Sequence, residues 1–493
     1  GRGVVKAGVV IDATGNGDVA IVAGASYRYG EIEKGRIALQ GSGMPSRPLI
    51  GTYYNTDYLL VDDVDMVDVS NVIDGVLQVK AKEKQYDVGP IIQNRERRRI
   101  IGETTISYVE QIAGRNYEDV VVYSHSDYDS HGYPNSLYFA LLPHDSISAK
   151  KNHPAPGGYC HTPYRALIPK GLDGILVVGI AISMDRDVTA LIRMQYDLAN
   201  QGYAAGYAAA MAAKQNVSVR NIPIKQLQKH LVKIGNIPQS VVDSVVSFPY
   251  SESVVRQAVI DYGQAMNPEM AGKPLAIILT HREIAKPFLK QAFFEFSGQK
   301  KIAYAKIVAV LGETVGVDLL LKELNSFTKW DMKIFQGNMA CYAHLPTLQD
   351  QIITALACSG DKRVLPALLK KVEELDSSVT LSHHLAIAQG LEKIGDPDAC
   401  KSLAKLLSKD GISGHVIMNK SELKQTLSDD GKKQMWRTYA FREIILARAL
   451  YVCGDYNNIG KNILLAYKND IRGLFSRHAT FILDNKNVLN NEI

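Results

Sequence analysis

The sequence predicts an α/β fold that is interrupted by an α+β insertion and followed by an all-α region. Near the start, the segment VVIDATGNGDVAIVAGA runs from an apolar strand through a glycine turn into a helix. A second apolar strand ends in glycine at residues 174–179, and a long helical segment follows at 191–213. Beyond residue 250 the apolar spacing is helical throughout, so strands and helices are segregated along the chain.

The first element is a short buried strand over residues 9–11, which are all apolar. The tetrapeptide Asp-Ala-Thr-Gly at 12–15 then predicts a turn, and Asp18 stands where an acidic residue favours a helix N-terminus. This pattern is a strand–turn–helix unit. We expect residues 1–30 and 161–215 to form one α/β unit.

The region between these two stretches, residues 31–160, has a different character. Segments such as TYYNTDYLLVDDVD and VVVYSH alternate polar and apolar residues, which predicts strands within an α+β insertion. The strand–helix pattern returns at Leu172. In the helix at 191–213, the small residues Gly202 and Gly206 predict close packing against a neighbouring element.

After a charged segment at 216–250, predicted to be a linker, the all-helical region 251–493 contains a recurring helix–glycine–helix pattern. Its units lie at 303–324, 351–372, 385–407 and 445–467, and their glycines are Gly312, Gly360, Gly395 and Gly454. Glycine ends a helix in a left-handed conformation, and Asp361, Asp396 and Asp455 stand where N-caps belong. These pairs resemble HEAT-like repeats; an ordinary helical bundle is the alternative.

Composition narrows the functional classes. The chain has 493 residues, 46% of them hydrophobic and 22% charged, and its net charge is only +5, which argues against a nucleic-acid partner. Its five cysteines form no CxxC pair, so neither a disulfide framework nor a structural zinc site is predicted. No uninterrupted apolar run is long enough to span a membrane, so no membrane partner is expected. The compartment, cytoplasmic or exported, stays open.

Four segments, in order, resemble the second half of FAD-dependent oxidoreductases with the glutathione-reductase-type two-domain fold. They are VVIDATGNGDVAIVAGA (9–25), RERRRIIG (95–102), YDSHGY (128–133) and HTPYRALIPKGLDGILVVGIAIS with RMQYDLANQGYAAGYAAAMAA (161–213). The resemblance implies a partial FAD-binding Rossmann-like domain at 1–30 and 161–215, a substrate domain at 31–160, and FAD as cofactor.

The same resemblance implies cofactor-binding residues. Thr14 and Gly15 correspond to the turn beside the dinucleotide, and Gly179 with Ile180 to the strand end near the flavin. Arg193 and Met194 correspond to a helix start, where N–H groups favour negative charge. The chain departs from the family at Ile180, where arginine is common, and at Arg186, where histidine is common.

The family begins with a GxGxxG strand–turn–helix that holds the FAD pyrophosphate. The sequence contains no such fingerprint; GSGMPS at 41–46 lacks the third glycine. We therefore expect an upstream segment or a separate chain to supply the pyrophosphate site, and this chain alone to bind FAD poorly. An evolved protein without flavin is the third alternative.

Histidines supply the candidate bases, because their pKa lies near neutrality. His131 is the first candidate, with Asp129 two residues earlier as an orienting carboxylate, and His161 is the second. A polar loop around His131, or a structural His161, would be the ordinary alternative. A metal site using His125, Asp127, Asp129 and His131, which would indicate a metal-dependent hydrolase, is a weaker hypothesis, and no metal is expected.

Arginines supply the candidate substrate contacts, because a guanidinium suits carboxylates and phosphates. Arg98 and Arg99 lie in RERRRIIG, and Arg165 lies in the PYRALIP segment. We expect one of Arg98 and Arg99 to face substrate or cofactor and the other to form a structural ion pair. A solvated helix face is the alternative for this run.

Together these observations predict an FAD-dependent oxidoreductase. It would abstract hydride from a C–H bond next to oxygen or nitrogen in a small, polyhydroxylated substrate. The alternative is a non-catalytic scaffold with a vestigial flavin domain, in which the helical repeats bind a protein partner.

Overall fold

The computed structural model describes residues 3–30, 42–48, 57–61, 64–82, 86–88, 96–126, 136–142, 158–246, 248–331, 346–429 and 435–486. The first part of this structure contains all the described strands together with several helices, and the rest contains helices. The strands are β1 (Val10–Asp12), β2 (Tyr27–Tyr29), β3 (Ser42–Pro48), β4 (Asp57–Val61), β5 (Tyr86–Val88), β6 (Arg98–Ile100), β7 (Val120–Ser126), β8 (Gly158–Pro163) and β9 (Ile175–Val177).

Strand β1 pairs in parallel with β9, although more than 160 residues separate them along the chain. Val10 lies opposite Ile175, and Asp12 lies opposite Val177. Helix α1 (Asp18–Val22) follows β1 and buries Ala20 in a small core with Ile175, Val177 and other apolar residues. The two stretches that the sequence predicts to share one α/β unit are therefore joined by backbone hydrogen bonds.

The other sheets lie within or beside the predicted insertion. Strand β2 pairs antiparallel with β6, and β3 lies between β4 and β5 in a three-stranded antiparallel sheet. Strands β7 and β8 form an antiparallel pair whose inner face joins the main hydrophobic core. In the described residues, the first part of the chain thus consists of several small sheets.

Helices of this part are α2 (Val69–Lys82), α3 (Tyr108–Ala113), α4 (Leu137–Leu141), α5 (Thr189–Ile192), α6 (Gln195–Gln215), α7 (Ile224–Lys233) and α8 (Gln239–Asp243). The helix predicted at 191–213 is interrupted at Arg193 and Met194, where α5 ends and α6 begins. Close packing through Gly202 and Gly206 was a wrong prediction: a Cβ at either position would meet no described atom within 4 Å. The buried face of α6 consists of Gln201 and the alanines 204, 205, 208 and 212.

The segment 216–250, expected as a linker, contains α7 and α8. Leu227 and Leu231 of α7 are buried in the main core. The buried amide of Gln228 donates to the carbonyls of Glu118 and Val120, at 3.0 and 3.1 Å, and so ties α7 to the start of β7. This segment packs against the first part of the chain.

The remaining helices are α9 (Glu252–Gln264), α10 (Pro268–Thr280), α11 (Arg282–Glu295), α12 (Gly298–Val310), α13 (Val317–Ser326), α14 (Leu348–Cys358), α15 (Leu365–Glu373), α16 (Leu381–Ile394), α17 (Ala399–Leu407), α18 (Lys420–Asp429), α19 (Met435–Cys453), α20 (Ile459–Lys468) and α21 (Gly473–Asp484). The first helices of the predicted pairs, α12, α14, α16 and α19, contact one another in succession. The second helices α13, α15 and α17 do the same. This stacking agrees with paired helices, while the HEAT-like assignment stays a prediction.

Local signals set the ends of these helices. The four predicted glycines all have positive φ, so each turns the chain where the first helix of its pair ends. Asp361 accepts from the N–H of Arg363, and Asp455 accepts from the N–H groups of Gly460 and Lys461 at the start of α20. The N-cap positions of α15, α17 and α20 belong to Val364, Asp398 and Asn458, so the N-cap predictions for all three helices were wrong.

The last helix returns to the first part of the chain. Arg477 of α21 binds Asp65, with its Nε 2.7 Å from Oδ2, and Asn71 of α2 donates to the carbonyl of Ile471 at 2.9 Å. The main core is also continuous from Ile106 to Ile482. Among the described residues, no helix combines the length and apolar character that a membrane crossing requires.

Candidate functional site

The turn after β1 is shaped by one buried carboxylate. Asp12 accepts hydrogen bonds from the N–H and hydroxyl of Thr14, at 3.0 and 2.7 Å, and from the N–H of Ala20, at 2.8 Å. The Thr14 hydroxyl in turn accepts from the N–H of Asp18 at 2.9 Å. Asp12 therefore holds both the turn and the first turn of α1, because its oxygens satisfy N–H groups that a helix N-terminus leaves open.

The turn after β9 meets the turn after β1. The N–H of Val178 donates to the carbonyl of Asp12 at 3.0 Å, which continues the pairing to the end of both strands. Gly15 and Gly179 have φ of 72° and 87°, a region that side-chain-bearing residues rarely adopt. A Cβ added to Gly179 would lie 3.7 Å from the Cα of Gly15. The structure thus brings Thr14 and Gly15 together with Gly179 at two adjoining turns whose glycines 15, 17 and 179 carry no side chain. These residues are here called the glycine cradle (residues 14–17 and 179).

Helix α6 supports the glycine cradle through a buried glutamine. The N–H of Gly179 donates to the side-chain oxygen of Gln201, which is buried. Gln201 was missed by sequence reasoning; its only signal is that it is a polar residue on the buried side of an alanine-rich helix. Ile180 lies beside Gly179 in a single 3₁₀ turn and packs against the main core.

Arg193 and Met194 lie at the start of α6, as the resemblance implies. Met194 is the N-cap residue of this helix, and its side chain makes no capping hydrogen bond. Six residues separate Gln195 from Gln201, so the helix start lies roughly 9 Å along the axis from the level of Gly179. The expected cofactor-binding residues therefore form two groups along α6, and their contact with a cofactor stays a prediction.

Asp197, in the first turn of α6, is a titratable group that sequence reasoning missed. Burial raises the pKa of its carboxyl, while Ser124 and His125 of β7 oppose that rise. A half-buried carboxyl with a raised pKa near a helix start is a candidate proton carrier. No motif marks it, because its environment comes from a strand some 70 residues away along the chain.

Arg98 supports the glycine cradle from the other side. Its Nε donates to the carbonyl of Asn16 at 3.2 Å, and its guanidinium forms an ion pair with Asp18. Its backbone N–H donates to the side-chain oxygen of Asn16 at 3.0 Å. The guanidinium also lies over the ring of Tyr27, 5.4 Å from the centroid. These contacts within the chain stabilise the turn, and a substrate contact by Arg98 stays a prediction.

Arg99 has the structural role expected for one of the two arginines. It is buried, and its guanidinium binds Glu96 at 3.2 Å and the carbonyl of Gly30 at 2.8 Å. Arg186, where the family commonly has histidine, binds the other oxygen of Glu96 at 2.8 Å. The cluster of Arg99, Glu96 and Arg186 is buried, so the expected substrate contact finds no support at Arg99.

Arg165 forms a bidentate ion pair with Asp119, with both nitrogen–oxygen distances at 3.0 Å. The hydrogen bonds to Asp119 raise the pKa of this guanidinium further. The arginine side chain is 43% exposed and Asp119 is buried. Arg165 therefore joins β8 and the following turn to the start of β7, while its role in substrate binding stays a prediction.

His161 lies on β8, whereas the glycine cradle ends β1 and β9. Its backbone N–H donates to the side-chain oxygen of Gln111 at 2.7 Å, and its ring packs 5.2 Å from that of Tyr123. Burial lowers the pKa of His161, which favours the neutral ring that a general base needs. His131 and Asp129 lie outside the described residues. Among the residues described, no cluster of three or more histidine, cysteine, aspartate or glutamate side chains could hold a metal ion.

A cleft of about 790 Å³ opens between β2, the start of α2 and the last helix α21. Tyr29 and Arg477 pack in its wall, with the guanidinium 4.9 Å from the ring centroid. Burial and the nearby Asp65 raise the pKa of Tyr29, so its hydroxyl stays protonated. Tyr27 lines the cleft on one side and contacts Arg98 on the other, which connects this cleft to the glycine cradle.

One known family matches part of the chain. Residues 63–231 match the model of the FAD dependent oxidoreductase family, a family that uses FAD. The match includes the chain from α2 to α7 and therefore Gly179 and α6, while the turn at Thr14 precedes it. No curated protein and no solved structure shows significant similarity to the chain.

Proposed function

We propose that this chain is an FAD-dependent oxidoreductase that takes hydride from a C–H bond next to oxygen or nitrogen in a small polyhydroxylated molecule. The observation that carries the proposal is the glycine cradle, where two strand ends from distant parts of the chain meet with bare backbone. The family match over residues 63–231 agrees with it, because this range contains β9, Gly179 and the supporting helix α6.

The residues present fit a group that is bound mainly through backbone contacts. Gly15 and Gly179 have no Cβ, and a Cβ at Gly179 would stand in van der Waals contact with the Cα of Gly15, 3.7 Å away. Asp12 and Gln201 hold the two turns from within the fold, so the cradle is preorganised. Bound FAD would supply the hydride acceptor.

The role of the chain is then to bind, orient and move protons. The N-terminal end of α6, at Arg193 and Met194, favours negative charge placed before it. Asp197, whose pKa is raised by burial, and His161, whose pKa is lowered by burial, are the described candidates for carrying the substrate proton. His131 with Asp129 remains the candidate pair suggested by the sequence.

The cleft beside Tyr27 and Tyr29 suits a polyhydroxylated substrate, because hydroxyl, amide and carboxyl side chains line it. Such groups satisfy sugar-like hydroxyls that would otherwise lose hydrogen bonds on binding. The cleft volume lies in the range typical of small-molecule sites.

The test compares Gly179→Ala with Gly174→Ala in the full chain. Both glycines have positive φ, and they stand at opposite ends of β9, but only Gly179 lies at the cradle. Both variants should lose similar stability, about 1–2 kcal/mol, because alanine is strained in this conformation. FAD retained after ultrafiltration should fall about tenfold only in Gly179→Ala.

One further readout completes the test. Anaerobic mixing of the FAD-loaded chain with a panel of sugar alcohols and amines should bleach the flavin absorbance. Because this chain alone is expected to bind FAD weakly, FAD is titrated up to millimolar concentration. If Gly179→Ala and Gly174→Ala weaken FAD binding equally, the cradle does not hold the cofactor and the proposal fails.

A further inference from the structure

A second cleft, distant in sequence from the glycine cradle, lies between helices of the all-α region. It has a volume of about 690 Å³ and is formed by the end of α9, the first half of α12 and the start of α14. Its wall combines apolar side chains, including Met266, Ile302 and Leu348, with lysines and glutamine amides. No acidic residue lines it among the described parts of the chain.

Lys306 of α12 lines this cleft although its side chain is almost fully buried, with 5% of the residue exposed. Its ammonium donates to the side-chain oxygen of Gln351. The amide of Gln351 donates at 2.8 Å to the carbonyl of Leu142, which orients the glutamine so that its oxygen faces Lys306. In the described structure the partner of this ammonium is therefore a neutral oxygen.

A buried ammonium needs more than this one acceptor. It has three N–H donors, and no carboxylate in the described structure lies within ion-pair distance of it. Burial without a counter-charge disfavours the ammonium and lowers the pKa of Lys306 to about 8. Burying an unpaired cation normally costs stability, so its presence in the wall of an open cleft calls for a reason.

We propose that this cleft binds a small organic carboxylate, whose anionic end pairs with Lys306 and whose apolar part packs against Ile302 and Leu348. Lys300, six residues before Lys306 on α12, is exposed and adds a second positive charge to the lining of the cleft. The amides of Gln264 and Gln299 supply further hydrogen-bond donors along the wall.

The combination of lysines and apolar side chains in the cleft lining favours an anionic ligand that also has an apolar part. A neutral polar ligand would leave the buried ammonium without a counter-charge, and a cation would be repelled by both lysines. An inorganic anion would pair with the ammonium of Lys306 but would leave the apolar wall of the cleft in contact with water. A ligand such as an aromatic carboxylate satisfies both surfaces.

The experiment uses the full chain and 4-fluorobenzoate, followed by fluorine NMR titration. Lys306→Met keeps the side-chain length and removes the charge, so affinity should fall at least tenfold. Lys300→Met should cause a smaller loss. Lys290→Met is the matched control, because Lys290 pairs with Glu313 on the surface of α11 and does not line the cleft; its affinity should equal that of wild type.

The pH dependence of wild-type binding tests the same charge without a variant. Affinity should be constant between about pH 6 and 8, where the probe is a carboxylate, and should fall by up to tenfold per pH unit above pH 8, because binding favours the ammonium. Among the described residues, the other titratable groups that line the cleft are Lys300 of α12 and Tyr262 of α9, and burial raises the pKa of Tyr262 above its ordinary value. The profile should persist in Lys300→Met, which assigns it to Lys306.

Other outcomes would overturn the proposal. These are no binding by the wild-type chain at millimolar probe, equal affinity for 4-fluorobenzamide, or unchanged affinity in a folded Lys306→Met variant. FAD retention should be the same in all these variants, so failure here is distinguishable from failure at the glycine cradle.

Discussion

Gly263 offers a stability prediction whose magnitude follows from one close contact. This glycine lies near the end of α9, and a Cβ built on it would lie 1.8 Å from the hydroxyl oxygen of Tyr304 and 2.5 Å from the ring carbon that bears it. Tyr304 is itself buried, and its hydroxyl donates to the carbonyl of Val259 at 3.0 Å. Gly263→Ala therefore forces the tyrosine ring to move.

The expected cost combines three effects. Displacing the ring loses a hydrogen bond of about 1 kcal/mol. Overpacking a buried site costs about 1–3 kcal/mol. Alanine recovers about 1 kcal/mol of helix propensity relative to glycine. We expect Gly263→Ala to lower the free energy of unfolding by about 1–3 kcal/mol.

Gly202→Ala is the matched control, because Gly202 also lies within a helix but has open space where its Cβ would stand. Here only the propensity effect applies, so the variant should be more stable by about 0.5–1 kcal/mol. Thermal unfolding followed by far-UV circular dichroism should thus move in opposite directions for the two glycine-to-alanine changes.

A double variant isolates the contact. In a Tyr304→Leu background, Gly263→Ala should no longer destabilise, since the atoms that it meets are gone. The reasoning is refuted if Gly263→Ala melts at or above the wild-type temperature, or if its cost is the same with and without the tyrosine.

Two neighbouring histidines and two aspartates give further predictions. Burial disfavours the charged form of His383, but the bond of its ring to Asp350 at 2.6 Å outweighs burial and raises the pKa of His383. The stabilisation from this pair is complete below about pH 6.5 and is lost as pH rises through the raised pKa. The destabilisation caused by His383→Gln should therefore shrink from about pH 6 to 8 in thermal melts. Burial lowers the pKa of His384 to about 3, so the contribution of His384 to stability is present above about pH 6.5 and declines as pH falls. The destabilisation caused by His384→Gln should therefore shrink on acidification. The same pH trend in both histidine variants would contradict these opposite pKa shifts. Asp65→Asn removes the half-buried ion pair with Arg477 that holds α21, so it should lower the free energy of unfolding by about 1–3 kcal/mol and speed proteolysis of α21. Asp74→Asn breaks an exposed ion pair and should lower it by under about 1 kcal/mol. Equal effects of the two variants would count against docking of α21 through Asp65.

Much of the local architecture could be predicted from the sequence. Short apolar runs followed by glycine turns predicted β1 and β9, and the family resemblance implied that Thr14 and Gly15 lie near Gly179. The glycines that separate the paired helices could also be predicted from the sequence. These features depend on a few neighbouring residues, whose backbone preferences act before any tertiary contact forms.

The roles of charged residues were much less predictable. Arg98 and Arg99 are adjacent in the chain, yet one supports the glycine turn and the other is buried against Glu96. Strand geometry sends their side chains to opposite faces, and only the surroundings of each face decide which role results. The same holds for Arg165, whose charge is paired with Asp119.

The sequence by itself determined the strand–glycine-turn units and the helix–glycine–helix pairs, because propensity, apolar periodicity and glycine turns are local properties. It did not determine the break in the helix predicted at 191–213 or the helices α7 and α8. Only the tertiary structure decided which polar groups meet: Gln201 with the backbone of Gly179, Arg477 with Asp65, and Lys306 with Gln351. These partners lie between about 20 and 400 residues apart. Their strength comes from burial and orientation, and neither is encoded in residue spacing.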